Sequence, residues 1–408
     1  MHIVCINCRA QYSIDENIYT CRKCGDLLEI ELDIQEVKRK LDEKWRFAPL
    51  SVWKYSAFIP IRDPSKIVTL GEGGTRLHFC QRLARELGIK NLYVKNEGDN
   101  PTASFKDRGI TVGVTRACEL NAKNVICAST GNTSASLAAY AAKAGLTCYV
   151  LVPSGKIAYG KLVQAIIHGA KVIRIRGDFD QALRMVLKVS HEVKDVYLLN
   201  SINPFRIEGQ KTLSYEICEQ LNRPPDWIVI PVGNAGNISA VWKGLVEFKE
   251  CGMIEGLPKL AGIQAEGAAP IVKAFEKGLD RIEPIQNPET IASAIRIGAP
   301  ASWKKALRAI RESKGIAVTV SDNEILKAQR DLASREGLFV EPASASTIAG
   351  LRKLLELNIV KNDDLVVCIA TGHGLKDPDA VLKSMDYYSI SEIEADTKSL
   401  IDLLKGGL

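Results

Sequence analysis

Lys106 carries the most distinctive chemistry in this chain, and it lies in the stretch Pro101–Gly109, after an apolar run at Leu92–Val94 that predicts a strand. A lysine held beside a carbonyl group and partly removed from water is nucleophilic and can form a Schiff base. The next residue is Asp107, and a surface lysine beside an aspartate is more often only a solvated ion pair. This stretch alone does not distinguish a Schiff-base lysine from a surface ion pair. Polar loops elsewhere in the chain provide the further evidence.

A glycine-containing loop follows another apolar run, 227–232, and precedes a predicted helix. Its residues are Gly233, Asn234, Ala235, Gly236 and Asn237. Such a loop lets successive backbone N–H groups converge at the start of a helix, which makes a cradle for phosphate. It matches neither the dinucleotide motif nor the Walker A motif, so a small monophosphate cofactor fits better than a nucleoside triphosphate. A tight turn that binds nothing is the alternative.

Two further polar loops also follow strand-like runs. The first opens a predicted helix with side chains that suit a carboxylate or simply cap the helix: Ser129, Thr130, Asn132 and Thr133. The second begins at Thr371, whose hydroxyl can donate to or accept from a ring nitrogen. His373 lies close by, but the sequence identifies no carboxylate partner that would support an acid–base role for it.

Alternating strand and helix patterns position these loops. From residue 70 onward, short apolar runs alternate with amphipathic segments, which predicts an α/β fold with parallel-rich sheets covered by helices. The predicted strands are 91–94, 125–128, 147–152, 171–175, 196–199, 227–231, 262–265 and 365–370, and one of the predicted helices is 207–221. The carboxyl ends of such strands are where open sheets place their chemistry. We predict the following segments: a zinc ribbon at 1–32, a linker and N-terminal arm at 33–69, a large domain formed by 70–118 and 206–378, a small domain at 119–205, and a C-terminal helical segment at 379–408.

Four cysteines near the N-terminus form two C-x-x-C pairs separated by a short polar stretch. They are Cys5, Cys8, Cys21 and Cys24. This spacing is typical of a tetrahedral zinc site, and four thiolates would complete the shell and make the metal structural. An empty reduced site and a redox pair are the alternatives. A thioredoxin-like motif is disfavoured because no long helix is predicted after either pair.

Composition excludes several classes of protein. The chain has 408 residues, of which 46% are hydrophobic and 25% charged, and a net charge of +6. This balance is typical of a soluble enzyme and suits an anionic small-molecule substrate. The charge is too mild and too evenly spread to indicate nucleic acid, and no apolar run reaches membrane-spanning length. Without a secretory signal at the start, we expect a cytoplasmic protein whose remaining cysteines are thiols.

Four segments, in this order, resemble the fold type II pyridoxal-phosphate enzymes, the tryptophan synthase β family. They are 96–109 (NEGDNPTASFKDRG), 129–132 (STGN), 200–211 (NSINPFRIEGQK) and 233–237 (GNAGN). Within that group they are similar to the threonine synthases, many of which also carry an N-terminal zinc-ribbon extension. The resemblance covers about 70–377. One departure is Thr75-Arg76-Leu77, where the family usually has a proline between threonine and leucine, and it puts local backbone geometry in doubt.

The resemblance implies a role for each site residue. Lys106 would hold pyridoxal phosphate covalently and then serve as the catalytic base, while Thr371 would face the pyridine nitrogen. Asn132 would bind the cofactor 3-oxygen, and the loop from Gly233 to Asn237 would bind its phosphate. Ser129, Thr130 and Thr133 would receive the substrate carboxylate. The substrate phosphate would be bound by Asn200, Ser201 and Arg206, whose planar guanidinium matches a phosphate in bidentate fashion.

The implied reaction converts O-phospho-L-homoserine and water to L-threonine and phosphate, in an enzyme that we expect to be a homodimer. A rival activity is that of cysteate synthase, which uses O-phosphoserine and sulfite. A rival of another class is a non-catalytic zinc-ribbon binding protein, which would need basic and aromatic residues clustered on the ribbon. The acidic side chains of the ribbon outnumber the basic ones and disfavour that class: Asp15, Glu16, Asp26, Glu29 and Glu31 against Arg9, Arg22 and Lys23.

Overall fold

The computed structural model describes residues 1–154, 159–177, 179–380 and 392–406. The strands are β1 (His2–Cys5), β2 (Gln11–Tyr12), β3 (Leu28–Glu31), β4 (Leu77–Phe79), β5 (Asn91–Asn96), β6 (Asn124–Ala128), β7 (Thr147–Pro153), β8 (Lys171–Ile175), β9 (Val196–Leu198), β10 (Trp227–Pro231), β11 (Lys259–Ala265), β12 (Ile316–Val320) and β13 (Leu365–Ala370).

The α-helices are α1 (Ile34–Lys40), α2 (Glu43–Phe47), α3 (Gln81–Leu87), α4 (Lys106–Glu119), α5 (Asn132–Ala144), α6 (Tyr159–Ile167), α7 (Phe179–Glu192), α8 (Pro204–Gln210), α9 (Thr212–Leu221), α10 (Gly236–Glu250), α11 (Pro270–Glu276), α12 (Trp303–Glu312), α13 (Asp322–Glu336), α14 (Pro342–Glu356) and α15 (Thr397–Gly406). Short 3-10 helices cover Val52–Phe58, Pro64–Lys66, Glu97–Asp99, Glu266–Ala268, Ser293–Ile295 and Gly374–Lys376. Part of the predicted C-terminal segment, 381–391 and 407–408, lies outside the described residues.

The N-terminal residues form a small antiparallel sheet in the order β2-β1-β3. Its last strand, β3, follows the second cysteine pair. Gly25 ends the second C-x-x-C pair with φ +75, a left-handed conformation that glycine adopts without steric cost. In the turn that it allows, Gly25 N donates to Cys21 O at 2.8 Å, and the chain continues from the second cysteine pair into β3.

A six-stranded sheet has the order β12-β11-β10-β13-β5-β4, and all of its pairings are parallel except β4 with β5. Apolar side chains pack on both faces of this sheet, as the alternating pattern predicts. Because β10 and β13 are neighbours, the loop at Gly233 and the loop at Thr371 leave the same edge of the sheet. The edge strands β4 and β12 were not among the predicted strands.

A separate parallel sheet has the order β8-β7-β6-β9, and the sequence predicted all four of its strands. Its helices α5 and α7 pack against it around a second hydrophobic core. The loop that opens α5 at Ser129 leaves the carboxyl end of β6. Asn200 and Arg206 follow β9, which pairs with β6, so both loops face the same side.

Helix α4 packs directly on α8, and two glycines allow the close approach. A Cβ on Gly209 would lie 1.7 Å from the backbone oxygen of Arg108, and a Cβ on Gly109 would lie 2.6 Å from that of Arg206. The single helix predicted for 207–221 is in fact α8 and α9, separated at Lys211. None of the helices within the described ranges is long and apolar enough to cross a membrane.

Candidate active site

Lys106 is the first residue of α4 rather than part of a loop. Its segment is tied to the end of β13, because Phe105 N donates to Thr371 O at 3.0 Å and His373 N donates to Ala103 O at 3.0 Å. Burial, together with the nearby charge of Arg206, lowers the pKa of the Lys106 amine to about 7. A substantial fraction of the amine is therefore neutral near physiological pH, and the neutral form is the one that attacks a carbonyl.

Thr371 and Asn132 meet at a buried carboxylate, Glu341. The Thr371 hydroxyl donates to Oε1 of Glu341 at 3.0 Å, and Asn132 Nδ2 lies 3.1 Å from Oε2. Ser344 Oγ lies 3.1 Å from Thr371 Oγ1 and completes the cluster. Burial raises the pKa of Glu341. Sequence patterns assign Glu341 no firm role, and its contacts with Asn132 and Thr371 make it a functional candidate.

His373 caps the short helix Gly374–Lys376. Its Nδ1 accepts the Leu375 amide at 3.1 Å, and its ring packs edge-on against Phe339 at 5.7 Å.

The loop Gly233–Asn237 has the geometry of an anion cradle. Ala235 has φ +64 and α10 begins at Gly236, so the first amides of the helix have no intrahelical acceptors. Both polar side-chain atoms of Asn237 are buried without a hydrogen-bond partner among the described residues. Orphaned donors at a helix N-terminus fit the phosphate of a cofactor.

Asn234 differs from its neighbours in the loop, because its side chain is already engaged. Its Nδ2 donates to Ser201 Oγ at 2.7 Å, and its Oδ1 accepts the Ala301 amide at 2.6 Å. The contact links the loop after β10 to the segment after β9. The two predicted phosphate-binding loops are thus neighbours in space.

Arg206 is 3% exposed, and its Nε has no hydrogen-bond partner among the described residues. No carboxylate forms an ion pair with it in that part of the chain, and burial lowers its pKa to about 10. Its charge acts on Lys106, so the two groups lie near each other. A buried arginine without an acidic partner is costly unless an anion compensates it.

The remaining predicted substrate residues follow β6 and β9, two paired strands of the four-stranded sheet. Asn200 is held by the end of β6, since its side chain exchanges two hydrogen bonds of 2.9 Å with the backbone of Ala128. Ser129 Oγ accepts the Gly131 amide at 3.3 Å. The hydroxyls of Thr130 and Thr133 have no partner among the described residues, so they are available to a ligand.

Beneath the site, the side chain of Arg108 is fully buried between two glutamates, an arrangement that the sequence did not suggest. Its Nε is 2.6 Å from Glu97, its Nη1 is 2.7 Å from Glu216, and Lys95 lies 2.7 Å from the same Glu216. These contacts join α4 to the end of β5 and to α9. The network fixes the helix that presents Lys106.

The four N-terminal cysteines converge, with all four sulfur atoms within 4.8 Å of one another. Cys5 and Cys24 lie 3.4 Å apart, and Cys8 and Cys21 lie 3.5 Å apart. A tetrahedral zinc with bonds of about 2.3 Å requires sulfur separations of about 3.8 Å. Amides of Asn7 and Lys23 also point at the sulfurs of Cys5 and Cys21. The donor set therefore fits a structural zinc ion.

Comparison with known proteins identifies the family of this chain. The profile of the family described as "Pyridoxal-phosphate dependent enzyme" matches residues 68–372. A threonine synthase from Methanocaldococcus jannaschii is 59% identical over 98% of this chain and 98% of its own length. One from Methanosarcina acetivorans is 57% identical over 93% of both chains.

Solved structures show the same fold at lower identity. The processed form of a threonine deaminase from Solanum lycopersicum aligns with a TM-score of 0.66 and 23% identity over 88% of this chain and 96% of its own. A maize serine racemase aligns with a TM-score of 0.64 and 22% identity over 76% of this chain and 91% of its own.

Proposed function

Because this chain belongs to the threonine synthase family of pyridoxal-phosphate-dependent enzymes, we propose that its site converts O-phospho-L-homoserine and water to L-threonine and phosphate. The observation that supports this substrate is Arg206, a buried cation without a carboxylate partner in the described chain, close to an amine whose pKa is about 7. Such a pair suits a phosphate monoester that carries an amino acid.

The cofactor would be held by the residues predicted for it. Lys106 attaches it, Asn132 meets its 3-oxygen, Thr371 meets its ring nitrogen, and the cradle from Gly233 to Asn237 holds its phosphate. Bound there, pyridoxal phosphate supplies an electron sink conjugated to the substrate. Glu341 orients both Asn132 and Thr371, since it accepts a hydrogen bond from each.

Different side chains then act on different groups of the substrate. The hydroxyls of Ser129, Thr130 and Thr133 orient the carboxylate. The neutral amine of Lys106 removes protons from Cα and Cβ and returns protons at Cα and Cγ.

Arg206 holds the phosphate of the substrate, which leaves with the electron pair of the broken Cγ–O bond, while the oxygen of water bonds to Cβ. Asn200 and Ser201 complete the phosphate site. The large domain (70–118 and 206–378) provides Lys106 and Arg206, and the small domain (119–205) provides the carboxylate loop.

The proposal also includes a structural metal, a location in the cell and an oligomeric state. The N-terminal ribbon binds one structural zinc through Cys5, Cys8, Cys21 and Cys24. The enzyme acts in the cytoplasm as a homodimer on a small phosphorylated amino acid.

Phosphate release on a substrate panel tests the activity. The proposal predicts release, with threonine formed, from O-phospho-L-homoserine. Release only from O-phosphoserine in the presence of sulfite would instead identify the site as that of a cysteate synthase. The same panel with Lys106→Ala is the control for contaminating phosphatases.

A further inference from the structure

The ribbon packs on α8, the helix that carries Arg206. Phe205 is 3% exposed and belongs to one hydrophobic cluster with the ribbon residues Ile3, Cys5, Ile14, Ile18, Cys21, Leu28 and Ile30. Two of these residues, Cys5 and Cys21, are also members of the thiol cluster. The apolar layer between the thiols and Phe205 is therefore continuous.

Arg116 contacts both the Phe205 ring and the ribbon. Its guanidinium carbon lies 5.0 Å from the centre of the Phe205 ring, and its Nη2 donates to the backbone oxygen of Ile14 at 2.9 Å. Arg116 is itself buried on α4 and paired with Glu119 at 2.9 Å. The aromatic ring is thus enclosed by the ribbon on one side and by α4 on the other.

The ribbon also contacts two other elements of the chain. Tyr19 Oη accepts the amide of Leu198 in β9 at 2.9 Å, shortly before Asn200. Lys305 of α12 donates to Leu28 O at 2.7 Å, and Arg308 of the same helix pairs with Glu29 at 2.7 Å. The ribbon therefore connects the small sheet, α8 and α12.

Arg206 depends on this packing for its position. Neighbouring residues on a helix point about 100° apart, so a ring directed at the ribbon leaves Arg206 directed to another side of α8. Among the described residues no carboxylate holds the Arg206 guanidinium, and its Nε has no hydrogen-bond partner. The position of the guanidinium is then set by the packing of α8, which has α4 on one side and the ribbon on another.

We propose that Phe205 is a positioning residue through which the metal-loaded ribbon places Arg206 and so sets the affinity of the enzyme for the phosphate of its substrate. This inference rests on the function proposed for Arg206. It gives the ribbon a part in substrate binding besides its part in stability. The chemical steps stay with Lys106 and do not require the ribbon.

The first experiment compares Phe205→Leu with Phe58→Leu, a matched truncation of a buried phenylalanine in a different cluster. For Phe205→Leu we expect KM for O-phospho-L-homoserine and the Kd of inorganic phosphate for the holoenzyme to rise about tenfold, with kcat within about twofold. Phe58→Leu should lower the melting temperature and leave both constants unchanged. Unchanged phosphate affinity in Phe205→Leu would overturn the proposal, and Phe205→Met provides the volume-conserving variant if Phe205→Leu does not fold.

A double-mutant cycle separates this inference from the proposed function. In an Arg206→Ala background, Phe205→Leu should cause no further loss of phosphate affinity, because the residue that it positions is absent. A second tenfold loss would show that Phe205 acts by another route and would overturn the inference. If Arg206→Ala alone leaves phosphate affinity intact, the proposed role of Arg206 fails, and the inference fails with it.

The metal provides an independent test. Chelation of the holoenzyme should weaken the binding of inorganic phosphate, measured by calorimetry, and reloading with zinc should restore it. Cofactor absorbance should stay constant, because the Gly233–Asn237 loop holds the cofactor separately. A lower melting temperature with unchanged phosphate affinity would mean that the ribbon contributes only to stability, and would contradict the proposal.

Discussion

The side-chain amide of Asn132 lies 3.1 Å from the Glu341 carboxylate, and this contact joins the four-stranded sheet to the six-stranded one. Glu341 also accepts the hydroxyl proton of Thr371. A buried carboxylate thus orients two proposed cofactor ligands, one after a strand of each sheet. The relative position of the two sheets therefore determines whether Glu341 can hold both ligands.

Replacing Glu341 with alanine should therefore damage the cofactor site. Asn132 and Thr371 would each lose a charged acceptor, and such hydrogen bonds contribute about 1.5–3 kcal/mol. We expect kcat/KM to fall by about tenfold to a hundredfold, with a changed cofactor absorption spectrum. Glu356→Ala, an exposed position near the end of the same helix, is the control. A normal spectrum and normal kinetics in Glu341→Ala would rule out this role.

The pH dependence of cofactor attachment follows from the environment of Lys106. Burial and the charge of Arg206 hold the pKa of the amine at about 7, so the neutral form predominates above that pH and is lost below it. The rate at which the cofactor-free protein takes up pyridoxal phosphate should rise with pH, with a midpoint near 7. In Arg206→Ala the midpoint should move upward, because a repelling charge is gone. A midpoint near that of an ordinary lysine in the wild-type protein would refute the prediction.

We expect Arg206 to determine the use of the substrate and to have no effect on cofactor binding. Arg206→Ala removes a buried charged partner of the phosphate, a loss of about 2–5 kcal/mol. We expect kcat/KM for O-phospho-L-homoserine to fall by about a hundredfold or more, with cofactor absorbance retained. Arg206→Lys should recover part of the loss through charge without the bidentate fork. Loss of the cofactor band would show that the two phosphate sites are exchanged.

Stability should depend on Arg108. In Arg108→Met, the buried carboxylates of Glu97 and Glu216 lose their principal partner, and breaking a buried pair in this way costs about 3–5 kcal/mol. Denaturant unfolding measures the loss, and Arg85→Met, at an exposed position, is the matched control. Equal stabilities for the two variants would mean that the network contributes little.

The sequence predicted the parts of this fold that local pattern determines. The four strands of the small sheet and most central strands of the large one are apolar runs flanked by turn residues, and they lie where the sequence places them. The edge strands β4 and β12 were missed, because they are short or only partly buried and their pairing depends on distant chain. The break at Lys211 between α8 and α9 was also missed, because the amphipathic pattern continues through it.

In the candidate site, too, local patterns predicted some residues, while others could be recognised only from tertiary contacts. Lys106, Thr371 and the Gly233 loop were found because each follows a strand-like run, and parallel sheets gather such loops at one edge. Sequence patterns assign Glu341 no firm role, because its partners Asn132 and Thr371 are distant from it in the chain. The contact between Phe205 and the ribbon depends on tertiary packing, and no spacing in the chain indicates it.

Isotope labelling in H2¹⁸O tests the central claim most directly. If Lys106 and Arg206 carry out elimination at Cγ followed by addition of water at Cβ, turnover of O-phospho-L-homoserine should place ¹⁸O in the hydroxyl of threonine and leave the released phosphate unlabelled. Mass spectrometry of both products reads the outcome. Homoserine together with ¹⁸O-labelled phosphate would mean simple hydrolysis at phosphorus, and would contradict the account.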